Sequence, residues 1–278
     1  MYLIQSILMG IVQGLSEFLP ISSSAHLVFT SNLYKVINGI EVSHSSQEVF
    51  LDIMLHLGTL IAVLIYFRKE FSVIIKALYI GFKTKNYQSA DFKIGIYILL
   101  GTFISILVAY PLSGIAEILV FRPDIVGVLL FITGFILLGS EHLAKKYTIN
   151  KPITLKSSIL IAISQGLAAL PGFSRSGLTI ATGLILGHDR ISSARYSFLL
   201  SVPIILGASM FYPLLKIDFN NVVNYNWLAI IIGTIVSGIV GYLCIKYFMK
   251  FISKFSLAFF GYYCLLIGSG AFLFFRLL

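Results

Sequence analysis

Charge is what this sequence has least of. Asp, Glu, Lys and Arg together make up 11% of its 278 residues, less than half the share of about 25% in a soluble domain. That shortfall excludes an ordinary water-soluble globule and points to a lipid environment. Cysteine is nearly absent too. Cys244 and Cys264 both fall in apolar runs without zinc-type Cys/His spacing, so they read as buried small hydrophobes. No ten-residue alternation of apolar and polar residues is present, which argues against a membrane β-barrel. Low-complexity tracts are missing. The opening MYLIQSILMG lacks a basic n-region and runs straight into Gln13 and Glu17, so it does not read as a cleaved signal peptide.

What is there is apolar: 58% of residues are hydrophobic. Full-length apolar segments lie near 49–67, 94–111, 125–139, 197–214, 227–246 and 256–275, each close to the roughly 20 residues that span a bilayer. Continuity in lipid makes them helices. The net charge of +9 reads as basic loops on the cytoplasmic side rather than as a nucleic-acid surface. Lys and Arg cluster after the first span (Arg68 to Lys93), after the third (Lys145, Lys146, Lys151, Lys156) and after the fifth (Lys246, Lys250, Lys254). Lys35, Arg122, Lys216 and Arg276 fall on the other side. Residues 71–82, carrying Lys76, read as an interfacial helix, and 83–93 as a polar cytoplasmic loop.

This orientation leaves residues 157–187 leaving and re-entering the same face. They are expected to form a re-entrant helix–loop–helix with Pro171–Gly177 at its tip. Residues 1–40 are expected to do the same from the opposite face. The two tips echo each other: Gln13-Gly14-Leu15 aligns with Gln165-Gly166-Leu167, Ser22 with Ser174, and Ser24 with Ser176. The expected fold is therefore an all-α integral membrane protein. It is one membrane domain over 1–278, with six transmembrane helices plus two re-entrant hairpins in an inverted-topology repeat of halves about 1–150 and 151–278. Such repeats place their site where the broken helices meet.

Arg175 is the most telling residue, because an arginine at bilayer depth costs about 2.5–3.5 kcal/mol on insertion scales. It stands among Gly172, Ser174, Ser176, Gly177 and Thr179. A helix expected to begin near Leu178–Thr179 points its N-terminus at the loop, which suits an anion such as phosphate. Pairing with Glu17 is the plainer alternative. Glu17, with Gln13 one turn earlier, can act as general base or hold a divalent cation, Mg²⁺ or Ca²⁺. Ser22, Ser23, Ser24 and His26 follow the break at Pro20. Ser22 and Ser24 suit helix N-capping. Ser23 aligns with Arg175 and is the preferred nucleophile, with His26 as its base or as the nucleophile itself. Asp52 and His56 lie four apart on the first span and read as a structural pair. His44, Glu117, Glu141 and His142 read as solvated, and Ser197–Pro203 as a Pro-kinked helix whose serines help line the site.

Gln13-x-x-x-Glu17, the stretch Pro20–His26 with Ser23-x-x-His26, and Pro171-Gly-Phe-Ser-Arg-Ser-Gly-x-Thr179 resemble the motifs of the undecaprenyl-diphosphate phosphatase (bacitracin-resistance) family. Leu51–Arg68 and Arg195–Gly207 extend the likeness over essentially the whole chain. The first acidic position is Gln13 here, which leaves Glu17 as the only carboxylate of that motif. The resemblance implies removal of the terminal phosphate from a polyprenyl diphosphate lipid, recycling the carrier for wall polymers. It also implies a place in the cytoplasmic membrane with the site open to the outer face, and a homodimer. Arg175, Ser174, Ser176 and Thr179 would clamp the phosphates. The competing reading is a transporter or flippase that binds the same headgroup without cleaving it; a nucleophile beside Glu17 weighs against it.

Overall fold

A computed structural model describes residues 3–39, 46–147, 151–216, 222 and 224–277. His44 and the side chains of Lys145, Lys146 and Lys216 lie outside the described residues. The described chain is helical, in chain order α1 (Leu3–Ser16), α2 (Ser23–Ile37), α3 (Ser46–Tyr66), α4 (Arg68–Thr84), α5 (Ala90–Ala109), α6 (Ser113–Leu119), α7 (Pro123–Tyr147), α8 (Leu155–Leu167), α9 (Arg175–Ile185), α10 (Arg190–Lys216), α11 (Trp227–Ile252) and α12 (Ala258–Leu277). A 3-10 turn over Tyr110–Leu112, holding Pro111, joins α5 to α6.

Six stretches are long and apolar enough to cross a membrane: Ser46–Tyr66, Ala90–Leu119, Pro123–Ala144, Arg190–Phe211, Trp227–Ile252 and Ala258–Leu277. They fall on the six expected spans, and the protein is a multi-pass membrane protein. Two further helices, α1 ahead of the first span and α8 between the third and fourth, are apolar but too short. Each is followed by a non-helical break and a second short helix, α2 or α9.

Some boundaries differ from expectation, for local reasons. The polar stretch 83–93 is mostly helix: α4 runs to Thr84, and Ser89 caps α5 by accepting from Phe92 N at 3.1 Å, leaving only residues 85–89 as loop. The helix expected near Leu178 begins three residues earlier, because Ser174 Oγ accepts from Gly177 N at 3.0 Å. Glu141 is buried rather than solvated. Arg190 at the start of α10 donates to its two oxygens at 2.7 and 2.6 Å, and Leu257 N, just before α12, donates at 2.8 Å. Glu117 and His142 are exposed. Through Pro203, α10 stays helical.

Close packing runs through small residues, as expected where lipid removes the hydrophobic drive between helices. A Cβ on Gly10 of α1 would lie 2.5 Å from Gly233 O of α11, and one on Gly58 of α3 would collide with Thr234 O of the same helix. On α7 and α12, Gly127 faces Gly268 and Gly134 faces Gly261. Helix partners are exchanged between the halves of the chain. Gly14 of α1 sits against Ser237 O and Val240 of α11, while Gly166 of α8 sits against Ser105 O and Val108 of α5. The aligned glycines thus meet a serine carbonyl and a valine three residues on, each in the other half.

Candidate active site

The two breaks meet at the centre of the bundle. In the first, α1 ends at Ser16, Glu17–Ile21 form a turn that holds Pro20, and Ser22 adopts φ 68° before α2 begins. A positive φ is uncommon for a residue with a side chain and is found where surrounding bonds over-determine it. Here they do: Ser22 Oγ accepts from Ala25 N at 3.3 Å as the cap of α2 and donates to Phe173 O of the other break at 3.3 Å. In the second break, Gly172 takes φ 105°, and a Cβ there would lie 2.6 Å from Val126 O. Ser176 Oγ returns the cross-contact by donating to Leu19 O at 2.9 Å. The echo in the sequence is an echo in bonding. Ser22 and Ser174 cap α2 and α9 at the same offset, and each hydroxyl pairs with that of the serine two residues on, at 3.2 and 3.3 Å.

This architecture divides the expected site residues into two groups. Gln13, Ser22, Ser174, Ser176 and Thr179 are buried. Thr179 Oγ1 donates to Arg175 O at 2.7 Å and pairs with Ser197 Oγ at 2.6 Å. Of these, Ser22 and Ser176 tie the two breaks together, and Ser174 and Thr179 brace the second break and α9. Ser23, Ser24, His26 and Arg175 are only half-buried. Ser23 and Arg175 each occupy the first position of their helix.

Glu17, 6% exposed, is the hub. Its Oε2 accepts from Ser23 Oγ at 2.7 Å and from Gln13 Nε2 at 2.9 Å; its Oε1 accepts from Arg175 Nη2 at 2.5 Å. Gln13 Nε2 also reaches Thr59 Oγ1 at 3.5 Å. The other terminal nitrogen of Arg175, Nη1, is buried without a protein partner. A buried guanidinium donor left open in this way suits an anionic oxygen.

His26 stands apart from Ser23. Its Nδ1 lies 2.8 Å from Ser22 O, a carbonyl that can only accept, so Nδ1 carries the proton and Nε2 accepts from the Tyr263 hydroxyl at 2.8 Å. The two rings stack, 5.7 Å between centroids and 12° apart. Ser23 is therefore hydrogen-bonded to Glu17, and both nitrogens of His26 are engaged elsewhere.

The chain matches the model of the bacitracin resistance protein BacA family over residues 6–270. It belongs to that family. A relative named undecaprenyl-diphosphatase from Methanobrevibacter smithii is 40% identical over 96% of both chains. Another of that name, from Halothermothrix orenii, is 37% identical over 96% of both. One named undecaprenyl-diphosphatase 1, from Pseudoalteromonas translucida, is 34% identical over the full length of both.

Two residues join the family's motifs only in the folded chain. His56 Nδ1 lies 2.7 Å from its own helix at Asp52 O, and its Nε2 stands 3.7 Å from Glu17 Oε2. Tyr263, near the end of the sequence, holds His26. The signal for His56 was available, since an ionisable residue inside a span is functional more often than not; for Tyr263 none was. The donor set does not suit a resident divalent cation. Glu17 is the one carboxylate among these groups, both its oxygens are taken, and an arginine lies against it; no cluster of three His, Cys, Asp or Glu occurs among the described residues.

Proposed function

We propose that this protein hydrolyses undecaprenyl diphosphate to undecaprenyl phosphate and phosphate. This recycles the lipid carrier for wall-polymer synthesis and confers bacitracin resistance. The names of full-length relatives support the reading, and one observation carries it: a single carboxylate, Glu17, holds the Ser23 hydroxyl on one oxygen and the Arg175 guanidinium on the other.

In this reading Ser23 Oγ attacks the terminal phosphorus while Glu17 Oε2 takes its proton. The bond from that phosphorus to the bridging oxygen breaks, and undecaprenyl phosphate leaves. Glu17 passes that proton to the departing phosphate; water then attacks the phosphoserine, giving Glu17 a proton that the carboxyl returns to Ser23 Oγ as phosphate is released. Phosphoryl transfer is mostly positioning and neutralisation of charge on the transferring oxygens. Arg175 Nη1 and the N-terminal ends of α2 and α9 supply positive character there. His56 Nε2, beside Glu17, can share the proton that the carboxylate takes. No step is routed through a cation; Mg²⁺ or Ca²⁺ would arrive on the diphosphate, whose oxygens it binds.

The exchanged helix pairing and the matched serine bonds support an inverted-topology repeat of halves about 1–150 and 151–278, in which α1–α2 and α8–α9 are re-entrant hairpins. The distribution of Lys and Arg supports the cytoplasmic membrane as its location, with access to the site from the extracytoplasmic face. A homodimer rests on family likeness.

The test is phosphate release from undecaprenyl diphosphate in detergent by wild type, Ser23→Ala and Arg175→Ala. Turnover by wild type alone supports the phosphatase. A folded wild type that binds the lipid, releases no phosphate and moves the carrier between leaflets would overturn it in favour of transport.

A further inference from the structure

A groove of about 290 Å³ opens beside the break between α1 and α2. One wall is α1 and the break, with Val12, Leu15, Leu19 and Ile21; the other is α12, with Phe259 and Phe260. His26 and Tyr263 close one part of it, and Ser16 contributes the remaining polar side chain. None of these polar groups is free. Ser16 Oγ donates to Val12 O of its own helix, the Tyr263 hydroxyl is bound to His26 Nε2, and His26 Nδ1 is bound to Ser22 O. A cavity whose few polar groups are all satisfied by the protein offers an occupant apolar contact only.

We infer that this groove holds the first isoprene units of the prenyl diphosphate substrate. The inference rests on the phosphatase reading and adds where the chain runs. Three observations favour this occupant. The groove is built partly from the first break itself: Leu19, whose carbonyl anchors Ser176 of the opposite break, Ile21 and His26 all line it. Its rim is open sideways, with Leu15 47% and Phe259 66% exposed, so a long tail can pass from it into the bilayer. A second cavity, about 400 Å³ between α4, α5 and α10, has Lys69, Glu70, Asp91 and Arg195 in its lining, which suits an isoprenoid less well. Branched methyl groups and alkenes pack well on the three aromatic rings of α12.

The experiment uses the whole protein in detergent and a prenyl diphosphate carrying a diazirine in its first isoprene units. Photolabel mapped by mass spectrometry is expected on Val12–Ile21 and Phe259–Tyr263, and to be displaced by unlabelled undecaprenyl diphosphate. Steady-state kinetics provide the second arm. Leu15→Trp, filling the groove, is expected to raise KM for undecaprenyl diphosphate by about tenfold or more with kcat little changed, the size of effect a filled apolar pocket gives. Ile235→Trp, at an exposed position on α11 outside the groove, is expected to change neither. An active wild type whose label falls elsewhere, or a folded Leu15→Trp with unchanged KM, overturns the groove. Displaceable label in the groove of a protein that releases no phosphate would keep the groove and sink the phosphatase reading instead.

Discussion

Glu17 and Arg175 are 158 residues apart in the chain and form one ion pair at the junction of the two helix breaks, with 5% and 16% of their side chains exposed. Each comes from one of the two echoing segments, so neither segment alone contains a complete site. Removing either partner strands the other charge, a change that costs about 3–5 kcal/mol at buried pairs. Arg175→Ala is therefore expected to lose both stability and activity. Arg175→Lys is the sharper variant: it keeps the charge against Glu17 and removes the forked donors. It should fold with a melting temperature near that of wild type and still lose about 10²-fold or more in kcat, as losing a transition-state donor does. Wild-type turnover in Arg175→Lys would show that the arginine is a structural counter-charge.

The bond from Ser23 to Glu17 makes the two a functional unit. Ser23→Ala and Glu17→Gln should each remove nearly all phosphate release, and the double variant should be no worse than either, as for groups that act together. A detergent quench of wild type at neutral pH, with radiolabelled terminal phosphate, should leave label on Ser23. Label on His26 would reverse the assignment of nucleophile.

His26 is tied to Ser22 O and Tyr263, so its expected effect is positional. Tyr263→Phe keeps the stacked ring and removes the hydroxyl that His26 Nε2 accepts. It should reduce kcat less than Ser23→Ala does, by about 5-fold, the loss expected when a neutral hydrogen bond worth about 1 kcal/mol goes. A loss equal to that of Ser23→Ala would place the His26–Tyr263 pair in the chemistry itself.

Because the donor set around Glu17 does not form a resident cation site, exhaustive chelation should leave the thermal unfolding midpoint unchanged. Any requirement for Mg²⁺ or Ca²⁺ in turnover should follow the concentration of the cation–diphosphate complex. A chelator-induced drop in the midpoint, reversed by Mg²⁺, would count against this.

The glycine contacts predict where the bundle cannot grow. Gly10→Val, whose Cβ would meet Gly233 O at 2.5 Å, and Gly134→Val, whose Cβ would meet Gly261 O at 2.7 Å, are expected to destabilise by about 1–3 kcal/mol through overpacking. Gly139→Ala and Gly114→Ala, with nothing within 4 Å, should be tolerated. Comparable melting temperatures for all four in detergent would contradict the packing.

The sequence by itself determined the spans, because a run of some twenty apolar residues has one stable state in lipid. The two breaks were legible as well, because Pro20 and Pro171 lack a backbone N–H and each is followed by serines suited to capping a new helix. Ser22 and Ser174 could be read as capping residues, and Glu17 and Arg175 as partners, since an isolated charge at that depth has nowhere else to go. Tertiary structure alone decided how the motif residues divide. Ser174, Ser176 and Thr179 share one sequence motif with Arg175, yet their hydroxyls are spent on backbone carbonyls and neighbouring side chains, while Arg175 keeps an open donor. Spacing cannot show this, because every serine can either cap a helix or face a ligand, and the choice depends on which carbonyl the opposite break presents. The same holds for His26, whose partner Tyr263 lies 237 residues away, and for His56 and Glu141, whose surroundings depend on distant helices. Local propensity and lipid solvation act over one helix; which polar atoms remain unsatisfied is settled only when the helices pack.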